Sequence, residues 1–179
     1  IMNMINITLP DNTVKSVESG TTIYQIAGDI GPGLLKASVA AKIDDMMVDL
    51  STSISSDCNL EIITNKSTEA HNILLHSTAH LMAQAVKEIF PQSTIAIGPA
   101  LKETFYYDID LDEPINDEIL LQIEKKMHEI SKESLSISRV EMSLKDAKKL
   151  FTDRDEEYKV EIISQIESDD KISVYNQGK

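Results

Sequence analysis

The run LLHSTAHLMAQAVKEIFP places two histidines, His76 and His80, four residues apart. On a helix that spacing brings both rings onto one side, close enough to share one ion or one water. Imidazole also suits the role of proton acceptor near neutral pH, since its ordinary pKa is about 6.5. At about 100° per residue, Leu74, Thr78, Leu81, Met82, Ala85 and Ile89 form one apolar arc. His76 and His80 fall outside it, on the side shared with Ala83, Gln84 and Lys87. They therefore face solvent, or something packed over that side.

A pair of this kind fits several readings, incidental surface histidines among them. A zinc protease needs Glu directly after the first His as general base, and Ser77 stands there instead. Tetrahedral zinc takes three or four protein ligands. The remaining candidates are His71, His128, Cys58 and carboxylates. His71 sits about 140° from His76 around the same helix, and His128 lies in an acidic amphipathic helix on what reads as a solvated face. No second ligand pair is visible, so the site reads as incomplete.

The elements that position these residues follow from pattern. MINITL alternates apolar and polar residues, PDNT has turn composition, and VKSVE follows as a hairpin partner. Thr21 or Thr22 caps a helix through IYQIAGDI that stops at Gly31-Pro32-Gly33. SVAAKID, an Asp44-Asp45 turn, MMVDL and LEIIT then read as further strands. A hairpin, a helix across it and more strands is the order of a ubiquitin-like β-grasp fold, although another small α+β domain fits the pattern equally well. The polar NKSTEA places a domain boundary after residue 64, dividing the chain into 1–64 and 65–179.

A helix from about Glu69 to Phe90, ended by Pro91, opens the second part. TIAIGPAL and TFYYDIDL read as paired strands. NDEILLQIEKKMHEISKE is an amphipathic helix with Ile119, Ile123, Met127 and Ile130 in phase. SLSISRVEM reads as a strand, SLKDAKKLF and EEYKVEIISQI as helices, and KISVYNQGK begins another strand. The fold class expected is α+β throughout.

Composition narrows the function. Of 179 residues, 41% are apolar and 26% charged, as in ordinary globular proteins. The formal charge of −13 repels phosphate and argues against broad nucleic-acid binding. The acid is spread along the whole length, so any such contact must be local or depend on basic surface elsewhere. No membrane span or signal segment is visible. A single cysteine, Cys58, excludes an internal disulfide and a cysteine-based metal cluster, which fits a reducing cytoplasm.

The segments HSTAHLMAQAVKEIFPQSTIAIGPALKETFYYDIDL, LLQIEKKMHEI and EEYKVEII resemble the N-terminal editing region of bacterial threonyl-tRNA synthetases. ITLPDNTVKSVESGTTIYQIAGDI and VAAKIDDMMVDL look like the TGS domain, the β-grasp module that opens those enzymes. The resemblance covers about Asn3 to Lys179, and Ile1 before Met2 looks like a cloning remnant. It implies an editing domain incomplete at its C-terminal side, stopping before an Asp-x-Cys-Arg-Gly-Pro-His segment whose Cys and His face His76 and His80. Alanine-type editing proteins share the histidine motif but lack the TGS domain.

The resemblance also implies a reaction. Threonine and serine differ by one methyl, which a pocket discriminates by only about 1–3 kcal/mol; these synthetases hydrolyse the mischarged Ser-tRNA(Thr) at a second site. His76 is then expected to activate or position water, with His80 as its support. Lys159 of YKV matches a pocket lysine, although here it is a lone base among Asp155, Glu156, Glu157 and Glu161, and a solvated lysine is the plain alternative. Tyr107 of FYYD matches a pocket tyrosine but alternates with Phe105 and Ile109, as core packing also would. Gly98 of IGP is expected to let the tRNA's terminal adenosine approach the backbone, or simply to make a turn. The sequence departs from the family at Thr104, where Gly is common, and at Asn12, which tolerates a left-handed turn.

No cofactor is expected in this chain. ATP, Mg and Zn belong to the synthetase's catalytic domain, and a metal on His76 and His80 would need the missing Cys and His. The partners implied are the 3′ end of tRNA(Thr) mischarged with serine and the remainder of the synthetase. The whole enzyme is expected to be a cytoplasmic homodimer, and this piece an inactive monomer that binds no membrane. Two other readings stand beside it: a non-catalytic TGS-containing RNA- or protein-binding module, and a free-standing trans-editing hydrolase.

Overall fold

The computed structural model describes residues 3–96, 98, 101–166 and 171–178. Its packing divides into two compact units, Ile1–Leu74 and Leu75–Lys179.

The first unit is built on strands whose inward residues are branched aliphatics. In β1 (Met4–Thr8), Ile5 and Ile7 are buried and their neighbours are not. β1 pairs antiparallel with β2 (Val14–Glu18), from Thr8↔Val14 to Met4↔Glu18. The connecting turn puts Asn12 at φ 65, the left-handed conformation that Asn accepts more readily than most residues. α1 (Ile23–Ile30) starts from Thr22, which forms a full capping box with Gln25, and it buries Ile23, Ile26 and Ala27. α1 ends at Gly31 as expected, and Pro32 then opens a second short helix that the sequence reading did not include, α2 (Pro32–Ala37). Proline lacks only a donor that the first helical turn leaves unpaired anyway, so the same residue ends one helix and begins another.

β3 (Ser38–Ile43) and β4 (Met46–Val48) are joined through Asp44 and Asp45, both at positive φ, as a two-residue hairpin turn of matching twist requires. β5 (Cys58–Thr64) completes a five-stranded sheet of order β2-β1-β5-β3-β4. The central β1–β5 pair is parallel and the others antiparallel, which is the β-grasp arrangement. Ile5, Ile7, Ile23, Ile26, Ala41, Ile54 and Leu60 form the core between sheet and α1.

On the opposite face of the sheet, Ala40 and Ile63 pack with Ala70 and the half-buried Ile73 of α3 (Thr68–Ile89). Lys42 bonds Glu69 of that helix at 2.9 Å and pairs with Glu61 at 3.7 Å. These contacts carry the first unit to Leu74, past the end of β5 at Thr64 where composition changes.

In the second unit, Ala85 and Val86 of α3 pack against Ile119, Ile123 and Ile130 of α4 (Asp117–Lys132), the phase read from the sequence. Asn116 caps α4 by accepting from the Ile119 amide. The strands expected from TIAIGPAL and TFYYDIDL pair over only two residues each, β6 (Thr94–Ile95) with β7 (Ile109–Asp110). One further bond follows, from the Ala96 amide to the Asp108 carbonyl at 3.0 Å. Ile97, Pro99 and Ala100 of that stretch lie outside the described residues. β8 (Ile137–Met142) and β9 (Ile172–Gln177) form a separate antiparallel ladder. Phe151 and Ala147 of α5 (Leu144–Thr152) and Ile163 of α6 (Glu157–Ser164) pack on its Val174. The antiparallel pairing expected of this part is thus split between two short ladders.

Ile7 has no exposed surface, so Ile7→Ala is expected to destabilise the first unit by about 2–5 kcal/mol. Val14→Ala, at a residue 59% exposed, should change stability by less than about 0.5 kcal/mol. Urea unfolding of the two variants measures the contrast.

Candidate functional site

His76 and His80 sit on α3 beside residues that fix how the helix is turned. Ala79, Ala85 and Val86 are buried, whereas both histidines are exposed. The rings meet edge to face, with centroids 4.5 Å apart and planes at 66°. His76 Nε2 and His80 Nε2 are 2.8 Å apart. That is a hydrogen bond between two identical atoms, so one ring donates an N–H and the other must accept with a bare lone pair. Two cationic rings cannot make this bond, because both nitrogens would then be donors.

His80 is held below the ordinary imidazole pKa, first because surrounding protein displaces part of its water and then through the charges of His76 and Lys159. A lowered imidazole pKa means a neutral ring near pH 7, with a lone pair able to take a proton.

Lys159, on α6, is the cation whose field His80 feels. Its ammonium forms an ion pair with Glu156 and stands 5.0 Å from the centroid of the Phe151 ring. A lysine loose in solvent does not describe it. Neither partner was singled out in the sequence. Glu156 carried a faint signal, an acid three residues before a lysine on one helix; Phe151, eight residues earlier and on another helix, carried none.

Gly98 and Tyr107 form a second grouping. Phe105, Tyr107 and Ile109 are half-buried while Thr104, Tyr106 and Asp108 are exposed, so the alternation is real. A Cβ added at Gly98 would lie 2.5 Å from Tyr107 Cδ1, Cδ2 and Cε1. The ring of Tyr107 therefore covers the Gly98 α-carbon, and close packing explains this glycine better than a turn does. Burial pushes the Tyr107 phenol pKa up, keeping it a neutral hydrogen-bonding group.

His71 and His128 are both exposed. Among the described residues, no three His, Cys, Asp or Glu side chains are placed to hold a metal ion. The facing nitrogens of His76 and His80 also point at each other. The described residues around this pair supply two ligands, fewer than a tetrahedral metal takes.

Comparison with known proteins gives these positions a context. The TGS domain family matches residues 5–64. The chain is 49% identical over 177 residues to a protein named Threonine--tRNA ligase from Citrifermentans bemidjiense (strain Bem), covering 99% of this chain and 28% of that protein. A protein of the same name from Legionella pneumophila subsp. pneumophila (strain Philadelphia 1) is 45% identical over 175 residues, 98% of this chain and 28% of its own length. The one from Symbiobacterium thermophilum is 40% identical over 177 residues, 99% and 27% respectively. The chain thus spans little more than a quarter of the curated relatives it matches. Among the described residues no helix is long and apolar enough to cross a membrane.

In an NMR titration, His80 is expected to protonate at a midpoint below the ordinary value of about 6.5. Replacing His76 with Asn removes one of the depressing charges and should move that midpoint up. A midpoint at or above the ordinary value in the unmodified chain would contradict the geometry described.

Proposed function

We infer, for a chain that matches an N-terminal fragment of threonine–tRNA ligases and carries a TGS domain, that its histidine pair forms one wall of a site hydrolysing Ser-tRNA(Thr). The whole ligase joins threonine to tRNA(Thr), and a pocket that admits threonine cannot strongly reject the smaller serine. Hydrolytic removal of the wrong product supplies the missing discrimination.

The observation that carries this reading is the exposed imidazole pair on α3, with its two Nε2 atoms 2.8 Å apart. Hydrolysis of the ester needs a water, a base near neutral pH and positive charge where the oxyanion forms. The water oxygen attacks the seryl carbonyl while His76 takes or directs its proton. The hydrogen bond between the two Nε2 atoms fixes the ring and tautomer that His76 presents. With His76 Nε2 donating to His80, its Nδ1 keeps the lone pair that meets the water. The bond to the ribose oxygen then breaks, and that oxygen takes up a proton to leave serine and free tRNA. Lys159 supplies the positive field. Tyr107 is assigned to the lining that receives the tRNA 3′ end as a neutral hydrogen-bonding ring, with Gly98 making room for that ring in place of the direct contact expected of it.

The opposite wall, including a Cys and a His, is assigned to polypeptide beyond the matched quarter, as is the aminoacylation reaction with its ATP, Mg and Zn. No metal has a part in the step proposed here. Partners are the mischarged tRNA and the rest of the ligase.

In the full-length ligase, His76→Ala is expected to slow Ser-tRNA(Thr) hydrolysis at least ~100-fold while leaving threonylation intact. The 179-residue chain alone should be inactive or nearly so. A full hydrolysis rate in the mutant removes His76 from the mechanism. Calorimetric titration of the chain with zinc should give no stoichiometric, submicromolar binding, since two mutually bonded imidazoles make too few ligands; tight binding overturns the metal-free assignment.

A further inference from the structure

We propose that Glu156 and Phe151 are positioning residues that hold the Lys159 ammonium in place at the hydrolytic site, a role that rests on the reading of His76 and His80 as its water-activating wall. Lysine ends in a point charge on a flexible four-carbon stem. A cation meant to stabilise a developing charge must be placed before the reaction, or the reorganisation is added to the barrier. The neighbourhood of Lys159 supplies that placement from two sides.

The first side is the junction between α5 and α6. Asp155 turns the chain through the left-handed region at φ 56. Its amide bonds the Thr152 carbonyl at 3.1 Å, and the Glu156 amide bonds the Phe151 carbonyl at 3.0 Å. Glu156 is thereby fixed as the residue that opens α6. Its side chain makes no capping hydrogen bond to the helix. It pairs instead with Lys159, one turn on, and is only 22% exposed. Asp155, Glu157 and Glu161, the other acids flanking the lysine, are all exposed.

The second side is aromatic. Phe151 is 9% exposed and packed with Ala147, Ile163 and Val174, so its ring is a fixed surface. At 5.0 Å from the ring centroid, the ammonium lies within the range of cation–π attraction. An isolated surface ion pair would place a lysine poorly. A half-buried carboxylate together with a fixed ring face defines one position. From there the positive charge reaches His80, whose proton affinity it lowers.

The test uses the full-length ligase with Glu156→Gln and Glu156→Asp, alongside Lys159→Ala. Threonylation serves as the folding control and should stay within twofold of wild type. Hydrolysis of Ser-tRNA(Thr) by Glu156→Gln should fall on the order of 10-fold in kcat with little change in KM, as expected when a reacting geometry is loosened. The Asp variant should fall between the two. A second readout follows the lysine itself. After reductive methylation with labelled formaldehyde, the dimethyl-Lys159 signal should be displaced by the Phe151 ring current in wild type, and should return to the free-lysine position in Glu156→Gln. A wild-type hydrolysis rate in Glu156→Gln overturns the proposal, as does a lost rate with an unmoved lysine signal. Full hydrolysis by Lys159→Ala also overturns the proposal, since there is then no cation to position, whereas full hydrolysis by His76→Ala refutes the site reading on which the proposal rests.

Discussion

Two imidazole nitrogens 2.8 Å apart on one helix face can hold one proton between them. Every other feature of the second unit bears on that restriction. The buried Ala85 and Val86, packed on Ile119 and Ile123, fix which side of α3 is inward, so the histidines stay outward. The displaced water and the charge of Lys159 act in the same direction, against a second proton. A pair that stays singly protonated across the gap always presents one donor and one acceptor, whichever ring carries each. That is a more reproducible arrangement than two independent histidines, each free to choose tautomer and rotamer.

Some of the charge in this chain is paired internally. Besides Lys159 with Glu156, ion pairs join Lys42 to Glu61 and Glu69, Lys126 to Glu88 and Glu129, Lys149 to Asp153, and Arg139 to Glu141. With 30 acids to 17 bases, the carboxylates outnumber the cations available to neutralise them. A polyanion approaching this surface therefore meets a mostly negative field. The acidic composition and a localised anionic substrate are compatible, provided that most of the polyanion is held by basic surface elsewhere.

Periodicity made most of the framework legible. Pattern located β1, β2, β3 and β5, and helical phase located α3 and α4. The inward residues Ile119, Ile123 and Ile130 of α4 were in the phase read, whereas the arc read on α3 took in the exposed Leu74 and left out the buried Ala79 and Val86. Local turn chemistry did the same for Asn12 and for the Asp44-Asp45 hairpin, whose positive φ values are properties of short segments. The histidine pair was legible because both residues lie on one helix. What escaped was non-local. PGLLKA offers an N1 proline and, after Gly33, good helix formers, but the run is short and α2 buries no residue that would have set a phase. Among the described residues the ladder between β6 and β7 takes in Thr94 and Ile95 of the first apolar run and Ile109 and Asp110 of the second. Glu156 and Phe151 matter through Lys159, and that three-residue meeting spans two helices and a left-handed turn.

The stacking of Tyr107 on the Gly98 α-carbon couples two positions that are nine residues apart in sequence. A methyl group at 98 and a six-membered ring at 107 cannot occupy the same space, so these sites share a single evolutionary degree of freedom. A lineage that enlarges the first must shrink or swing away the second, and through it alter whatever the phenol greets. Change at position 98 would therefore be expected to travel with change at position 107.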